Sequence, residues 1–433
     1  MHRSTASLAS RLSRVGLLAT VAMMSTSCSG RWLALDGDAG ANGGTGASGT
    51  SGGSAYDTSS SAGAAGDGSA GTAGAEGNAP GSVDGGPDDA PIKGAYRAIG
   101  IATGAIHTCA LLDNRRVKCW GDNGYGQLGY GDATPRGNVR AEMGNALPFV
   151  DLGTDRTATK IAAGRYSTCA ILDDGSLKCW GWSGLNGHFP NDVGDAPNTM
   201  GDNLKPLDFG DRKVVDVAIS NEVACAATDD DTVWCWGASA GGPQLQATLP
   251  SKGIKMLTAA GQVVTALYSD GTVSPGLPPA PGAVPLFSAD QKFSTLSGAN
   301  LAQTCGLSNG TTVVCSPTGV IETPLTLTGV ANALGMQSGG RLCVVFDDGS
   351  VQCPGDACAG AYWCDAQGHV AIGRAATAIS YGGSGFSCVI LDDGNVKCWE
   401  DDPRSTVIPW LGSSVSNDNG VTRWDAVDLG TRP

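Results

Sequence analysis

The sequence predicts an all-β protein in which a repeated hairpin unit closes into a ring of sheets. Three observations carry this. The 433 residues include 66 Gly and only 7 Phe, with 16% charged residues, a composition poor in strong helix formers. One hairpin-like unit recurs seven times. The two ends of the repeated region are complementary halves of one unit. A length of this order allows two or three small domains or one large all-β domain.

The chain begins with an expected address. Residues 1–27 hold Arg3, Arg11 and Arg14 and no acid, then a short apolar stretch, Val15 to Met24, and then Ser-Thr-Ser-Cys-Ser. A basic start, an apolar centre too short to span a bilayer and a small-residue exit form a secretory signal. The Cys after the small residues makes the segment resemble a bacterial lipoprotein signal, which would lipidate Cys28, although Ser25 stands where such signals carry Leu. Removing Cys28 from 15 cysteines leaves an even 14. Residues 28–92 then read as a linker. Between Asp36 and Pro91 the large apolar residues are Tyr56 and Val83 alone, so the stretch cannot bury enough surface to offset its ordering entropy. As a flexible coil it would span about 40 Å. Charge runs +3 over 1–27, −7 over 28–92 and −10 over 93–433, together the net −14. That balance excludes a nucleic-acid binder that works by neutralising phosphates.

Residues 93–433 are the repeat domain. Its units are GAIHTCALLDNRRVKCWG (from Gly104), GRYSTCAILDDGSLKCWG (from Gly164), SNEVACAATDDDTVWCWG (from Ser220), QVVTALYSDGTVSPG (from Gln262), LAQTCGLSNGTTVVCSP (from Leu301), GGRLCVVFDDGSVQCPG (from Gly339) and SGFSCVILDDGNVKCWE (from Ser384). Six units hold Cys-x9-Cys: Cys109/Cys119, Cys169/Cys179, Cys225/Cys235, Cys305/Cys315, Cys343/Cys353 and Cys388/Cys398. The fourth unit loses both together, to Thr265 and Pro275, as expected if the two sulfurs bond to each other. If Cys169 faces Cys179 across antiparallel strands, the loop is Asp173-Asp174-Gly175. Such a three-residue turn ends in the left-handed region, where Gly fits without strain. Opposed residues in this ladder lie within disulfide reach. Asp113-Asn114-Arg115 and Asp229-Asp230-Asp231 lack the Gly and Asn309-Gly310 shifts it, so those turns are expected to be looser or of another type. Each bridge closing so short a loop adds up to about 2–3 kcal/mol.

Further strand-like pieces recur between hairpins: Val150-Asp151-Leu152-Gly153, Leu207-Asp208-Phe209-Gly210 and Val427-Asp428-Leu429-Gly430. The first two lead into alternating strands at 159–163 and 214–219. The third ends the chain, while the strand at 97–103 has no such piece before it. Joining the two ends would complete one sheet and leave no open edge.

After the first hairpin comes WGDNGYGQLG, Trp120 to Gly129. With the preceding H-T-C-A-L strand it resembles the signature repeat of the regulator-of-chromosome-condensation family. The resemblance covers about residues 94–433, is strong in the first, second and seventh units, and is eroded in the fourth to sixth. It implies a seven-bladed β-propeller closed by exchange of N- and C-terminal strands. The bridged hairpins look like the exported bacterial branch of that family. Nucleotide exchange on a GTPase does not carry over to an exported chain without a basic arm.

Little in the sequence points to catalysis. There is no G-x-S-x-G, no phosphate loop, no H-E-x-x-H and no spaced-Asp calcium motif, so no catalytic residue, metal or cofactor is expected. His107 takes the family's structural position, whereas His188 and His369 fall in variable stretches. The paired Asp residues at hairpin tips are turn formers before they are a cation site. Cys343, Cys353, Cys358 and Cys364 could form a four-thiolate zinc site, but pairing Cys343–Cys353 and Cys358–Cys364 suits an exported protein better. Three long inserts, 122–148, 182–206 and 401–423, bring Tyr125, Tyr130, Arg136, Arg140, Trp182, His188, Phe189 and Trp410. These residue types anchor interfaces. The sequence therefore reads as a monomeric cell-envelope lipoprotein on the outer membrane or cell surface. Its propeller would be a non-catalytic module for a protein or an envelope polysaccharide, with no nucleic-acid partner and only the lipid in the membrane. A polysaccharide lyase or hydrolase with its site in the central channel, and a structural coat or adhesion component, are the alternatives.

Overall fold

The computed structural model describes residues 94–433 except 238–240, 251, 278–286, 289, 299–302, 317–323, 330, 337–341, 354–368, 371, 383–385, 401–414, 419–420, 425 and 433. All of these lie in one compact unit, Asn78–Pro433. The expected signal, the linker, Cys28, Cys358, Cys364 and Trp410 lie outside the described residues.

The described chain is strands joined by turns and loops, with three single-turn 3-10 helices. The first sheet is β1 (Ala98–Thr103), β2 (His107–Leu112) and β3 (Val117–Gly121), and the second is β4 (Ala158–Ala163), β5 (Ser167–Leu172) and β6 (Leu177–Gly181). The third is β7 (Val214–Ile219), β8 (Val223–Thr228), β9 (Thr232–Gly237) and β10 (Gly241–Thr248), and the fourth is β11 (Ile254–Ala260) with β12 (Val263–Tyr268). The fifth holds β13 (Thr295–Gly298), β14 (Thr304–Ser308), β15 (Thr312–Cys315) and β16 (Leu325–Thr326). The sixth holds β17 (Ala331–Met336), β18 (Leu342–Phe346) and β19 (Val351–Gln352), and the seventh β20 (Ala376–Tyr381), β21 (Phe386–Leu391) and β22 (Val396–Glu400). A hairpin of β23 (Val415–Asp418) and β24 (Val421–Trp424) follows. Each sheet is antiparallel. The first strands pack in sequence, β1 on β4, β4 on β7, β7 on β11, β11 on β13, β13 on β17 and β17 on β20, and β20 packs on β1. The core lies between sheets, as in the cluster that joins Leu111, Val117 and Cys119 of the first to Ile161, Ala170 and Trp180 of the second.

Within each repeat the cysteines face one another. Cys109 pairs in register with Cys119, Cys169 with Cys179, Cys225 with Cys235, Cys305 with Cys315 and Cys388 with Cys398. All five pairs, and Cys343 with Cys353, are bonded, with Cα separations of 3.9 to 4.1 Å. Cys343 and Cys353 are therefore not thiolate ligands. Six disulfide bridges are the pattern of an extracellular protein. In the fourth unit Pro275 cannot donate to a ladder. Residues 273–277 stand in for the third strand through isolated bridges at Val273 and Leu277, and between them the Ser274 hydroxyl accepts from Ala266 N at 2.9 Å while its amide donates to Ala266 O at 2.8 Å.

The turns correct one expectation. Arg115 and Asp231 make the same turn as Gly175: each amide donates three residues back, to Leu112 O at 2.8 Å, Thr228 O at 3.0 Å and Leu172 O at 3.0 Å. Arg115 and Asp231 hold φ of 64° and 60°, where Gly175 has 84°. Hairpin register imposes the left-handed residue, whatever its type.

The Val-Asp-Leu-Gly pieces correct another, because none is a strand. Each makes a single ladder-like bond to the last strand of its own sheet: Val150 N to Val117 O, Leu207 N to Leu177 O and Val427 N to Val396 O, at 2.9, 2.8 and 2.7 Å. The chain then turns away. The Asp carboxylates of 151, 208 and 428 accept from the Gly amides two residues on, at 2.8–2.9 Å. This Asx turn is what the motif encodes.

The next sheet seizes that turn in the same way twice. Lys178 Nζ donates to Leu152 O and Gly201 O, both at 2.9 Å, and Gly201 N donates to Asp151 O at 3.1 Å. Asp202 Oδ1 accepts from Thr154 N at 2.9 Å. At the seam between the last and first sheets, Lys118 Nζ donates to Leu429 O at 2.9 Å and Gly144 O at 2.7 Å, and Gly144 N to Asp428 O at 2.9 Å. Asn145 Oδ1 accepts from Thr431 N at 2.9 Å. A Cβ on Gly201 or Gly144 would fall 2.4 Å from the Asp151 or Asp428 carboxylate, so only glycine can approach. Beyond it, Tyr96 N donates to Gly430 O at 2.9 Å and Arg432 N to Gly94 O at 2.8 Å. Burial lowers the Lys118 ammonium to about 8.

A second tie joins the first and second sheets. Gln127 O accepts from Trp180 Nε1 at 3.0 Å and from the Thr168 hydroxyl at 2.9 Å. Thr168 Oγ1 in turn accepts from His107 Nε2 at 2.9 Å. His107 is fully buried, and burial lowers its pKa from 6.5 to about 3. It packs rather than reacts.

Two predictions follow from these contacts. Lys178→Met strands two main-chain carbonyls and should cost about 2–3 kcal/mol in denaturant unfolding, while exposed Lys205→Met changes nothing; a loss below about 0.5 kcal/mol would mean that the clasp is ornamental. His107 is neutral when folded but takes a proton when unfolded below pH 6.5, so stability drains as pH falls from 6.5 towards 3. Melts at stepped pH should show His107→Gln losing less on acidification, with a difference of up to about 1.4 kcal/mol per pH unit.

Candidate binding face

The pairing of His107 with Gly121 and of Ser167 with Gly181 sets the inserts beside the β1–β2 and β4–β5 turns, at one end of the sheets. The Asp-rich hairpin tips lie at the other end. The first two inserts are fixed by buried amides. Asn123 Oδ1 accepts from Leu128 N at 2.9 Å while its Nδ2 donates to Asp132 O at 2.6 Å and Thr134 O at 3.1 Å. Asn186 Nδ2 donates to Gly181 O and Asn191 O, each at 2.9 Å, and its Oδ1 accepts from His188 N at 2.7 Å. The inserts also lock together: Gly131 N donates to Gly194 O at 3.0 Å, and a Cβ on Gly126 would fall 2.2 Å from Asp195 N.

On this scaffold Tyr125, 38% exposed, stacks on Tyr166 with centroids 4.9 Å apart and planes 26° apart. The Arg165 guanidinium lies 5.2 Å from the Tyr166 centroid. Phe189 is 56% exposed, and half-buried His188 beside it is held neutral by burial. Arg140 is exposed on its own 3-10 turn. Tyr166 and Arg165 are contributors that the sequence reading passed over, since they sit inside a repeat unit rather than in an insert. Their signal was positional: they occupy the turn before the first Cys, where other units carry unrelated residues.

Three candidates prove to be internal instead. Tyr130 is not available as a contact residue: its hydroxyl donates to Cys119 O at 2.8 Å and accepts from Cys119 N at 2.9 Å, and burial raises its pKa. Arg136 is committed to Asp132 through two bonds of 2.7 and 3.0 Å and lies 4.6 Å over the Tyr130 ring. Trp182 is half-buried against the core between the second and third sheets. These side chains hold the insert in shape because a loop this long has backbone and aromatic surface to satisfy locally.

The opposite end neutralises itself. Arg156 pairs with Asp174 at 3.1 Å, Arg212 with Asp230 at 2.6 Å, Lys252 with Asp270 at 3.2 Å and Arg374 with Asp392 at 2.9 Å. The hydroxyl and amide of Thr272 hold the Asp270 carboxyl below the usual range. These tips are turns with a paired charge, not an assembled cation site. Among the described residues no three His, Cys, Asp or Glu converge to hold a metal ion, and no helix is long and apolar enough to cross a membrane. Asp216 is the one buried carboxylate among the described residues. It pairs with Lys160 and accepts from Val217 N and Leu257 N, both at 2.7 Å, so it ties three successive sheets.

Residues 98–127 and 158–187 match the family model described as "Regulator of chromosome condensation (RCC1) repeat". The chain is 30% identical over 149 residues to the human E3 ubiquitin-protein ligase HERC2, an alignment covering 33% of this chain and 3% of that protein. It is 25% identical over 159 residues to Protein RCC1 of Candida albicans and 26% identical over 160 residues to the ultraviolet-B receptor UVR8 of Arabidopsis thaliana, covering 32% and 33% of those proteins. Aligned segments thus span at most about a third of these relatives. Among solved structures, the CRINKLY ectodomain of the Arabidopsis thaliana receptor kinase ACR4 aligns over 70% of this chain and 96% of its own, at 17% identity and a TM-score of 0.47. Prp20p of Saccharomyces cerevisiae aligns over 76% of each chain, at 15% identity and 0.40. The two matched segments contain the bridged hairpins of the first and second sheets, Trp120 and Trp180, and the start of each Gly-rich insert, and in these segments the chain is similar to the regulator-of-chromosome-condensation repeat.

Proposed function

We propose that this protein is exported, anchored by a lipid on Cys28, and displays a seven-bladed closed propeller as a protein-binding module. The insert face, centred on Tyr125 and Phe189, meets the partner. The observation that carries this reading is the contrast between the two ends. One carries ion pairs at four of its hairpin tips, whereas the other presents a rigid insert with a stacked Tyr125–Tyr166 pair, Arg165 and exposed Phe189. Aromatic and Arg side chains on a preorganised scaffold bind with little loss of side-chain entropy. Supporting the closed ring is the repetition of one clasp at the first–second and last–first seams. The disulfide bridges fit an oxidising compartment, and the linker of residues 28–92 would hold the module off the membrane.

Affinity capture from envelope extracts with the full chain supplies the test. A partner bound by the native chain should bind Tyr125→Ala/Phe189→Ala at least about tenfold more weakly, the loss of a single strong anchor. Asp174→Asn at the opposite end should leave it unchanged. Equal binding by both variants would refute the assigned face. Metabolic labelling with a radioactive fatty acid should mark the native chain and not Cys28→Ser; label on both would refute the anchor.

A further inference from the structure

The Asx turn that other sheets clasp also occurs at Leu207–Asp211, on the outer side of the second sheet, and there the clasp is missing. The third sheet carries Trp234 where the first and second carry Lys118 and Lys178. Only Ala238-Ser239-Ala240 separates Gly237 from β10, so the third sheet also has no Met-Gly turn like Met143-Gly144-Asn145 or Met200-Gly201-Asp202. Both halves of the clasp are therefore lost together. Arg212 takes over the carbonyl that lysine would hold, its Nη1 donating to Phe209 O at 3.2 Å while its guanidinium lies over Trp234.

Among the described residues, nothing fills the seat for the turn. A Cβ on Gly153 would meet Asp202 Oδ1 at 2.8 Å, and one on Gly430 would meet Asn145 Oδ1 at 2.5 Å. On Gly210, among the described residues, it would meet only Arg212 Nη1, at 3.4 Å. Asp208 O, the counterpart of the carbonyls that accept Gly201 N and Gly144 N, receives no bond among the described residues. Asp208, Gly210 and Asp211 are all exposed, while Phe209 beneath them is buried against Trp234 and Trp236, so the strip is preformed.

We propose that Leu207–Asp211 is a docking seat for a Gly-Asn turn presented by a partner protein. The partner's Gly N–H donates to Asp208 O, as Gly201 and Gly144 do at the filled seats. Its Asn Oδ1 accepts from Asp211 N, as Asn145 accepts from Thr431 N. Asp211 stands where the filled seats carry Thr154 and Thr431, and its negative charge selects Asn, whose amide donates, over Asp, which it repels. The seat lies apart from the insert face, so it stands or falls independently of the function proposed above.

The probe is the octapeptide AEMGNALP, residues 141–148 of this chain, titrated into the nitrogen-15-labelled full chain. We expect millimolar binding, about 4 kcal/mol, with saturable shifts of the Gly210 and Asp211 amides. Asp211→Lys, an exposed change that leaves the fold intact, should weaken binding at least about tenfold, and so should the peptide bearing G144V, whose side chain cannot approach. No shift up to about 10 mM, shifts confined to 428–431, or an equal response from Asp211→Lys would each overturn the proposal.

Discussion

Neighbouring sheets must hold one another without a shared hydrogen-bond ladder, and at two seams the solution is a clasp on main-chain carbonyls. An Asx turn at the outer edge of one sheet offers two carbonyls. The next sheet meets them with a glycine amide and a buried lysine ammonium. Charge-assisted bonds to neutral carbonyls suit a buried lysine, because no partner charge has to be desolvated with it. The cost is paid in sequence: Lys before the second Cys, Gly after Met, and Asp before Leu-Gly are tied to each other across some 25 to 300 residues.

Loss of the clasp changes what surrounds it. At the second–third seam Trp234 replaces lysine, and an aromatic contact with Phe209 at 6.0 Å replaces the carbonyl bonds. The third sheet gains a complete outer strand, β10, and a seat is left bare beside it. In the fourth sheet the lysine, both cysteines and a regular third strand go together, and Ser274 and Leu277 supply bonds to β12 in its place. Disulfides brace the third, fifth and sixth sheets as well, whereas the described lysine clasps join the first sheet to the second and the last to the first. Both inserts described in full are on this better-braced side, where a rigid base lowers the entropy lost on binding.

The two ends of the sheets divide the labour. Hairpin tips use Asp for the turn and then neutralise it with an Arg or Lys placed just before the first strand of the same sheet, as with Arg156, Arg212, Lys252 and Arg374. Exposed pairs of this kind add little stability, yet they neutralise the carboxylates at four of the tips. Inserts at the other end bury their polar groups inward through Asn123, Asn186 and Tyr130, and so turn aromatic faces out.

Periodicity alone made the hairpins, their register and the cysteine pairing legible, because a spacing of ten between cysteines and a turn at the midpoint admit one antiparallel alignment. Contacts between sheets were not legible, since they join residues with no fixed spacing: Lys118 to Leu429, Tyr125 to Tyr166, Asp216 to Lys160. Side-chain type gave the wrong answer for Tyr130 and Arg136, whose bonding partners are brought near only by the folded insert. The turns at Arg115 and Asp231 show the same rule from the other side, because ladder register outweighs the local preference for Gly. Sequence determined what each unit forms by itself, through hydrogen bonds and steric preferences that act over a few residues. Which residues face outward, and which seat stays open among the described residues, was decided by packing between units, where proximity depends on the tertiary fold.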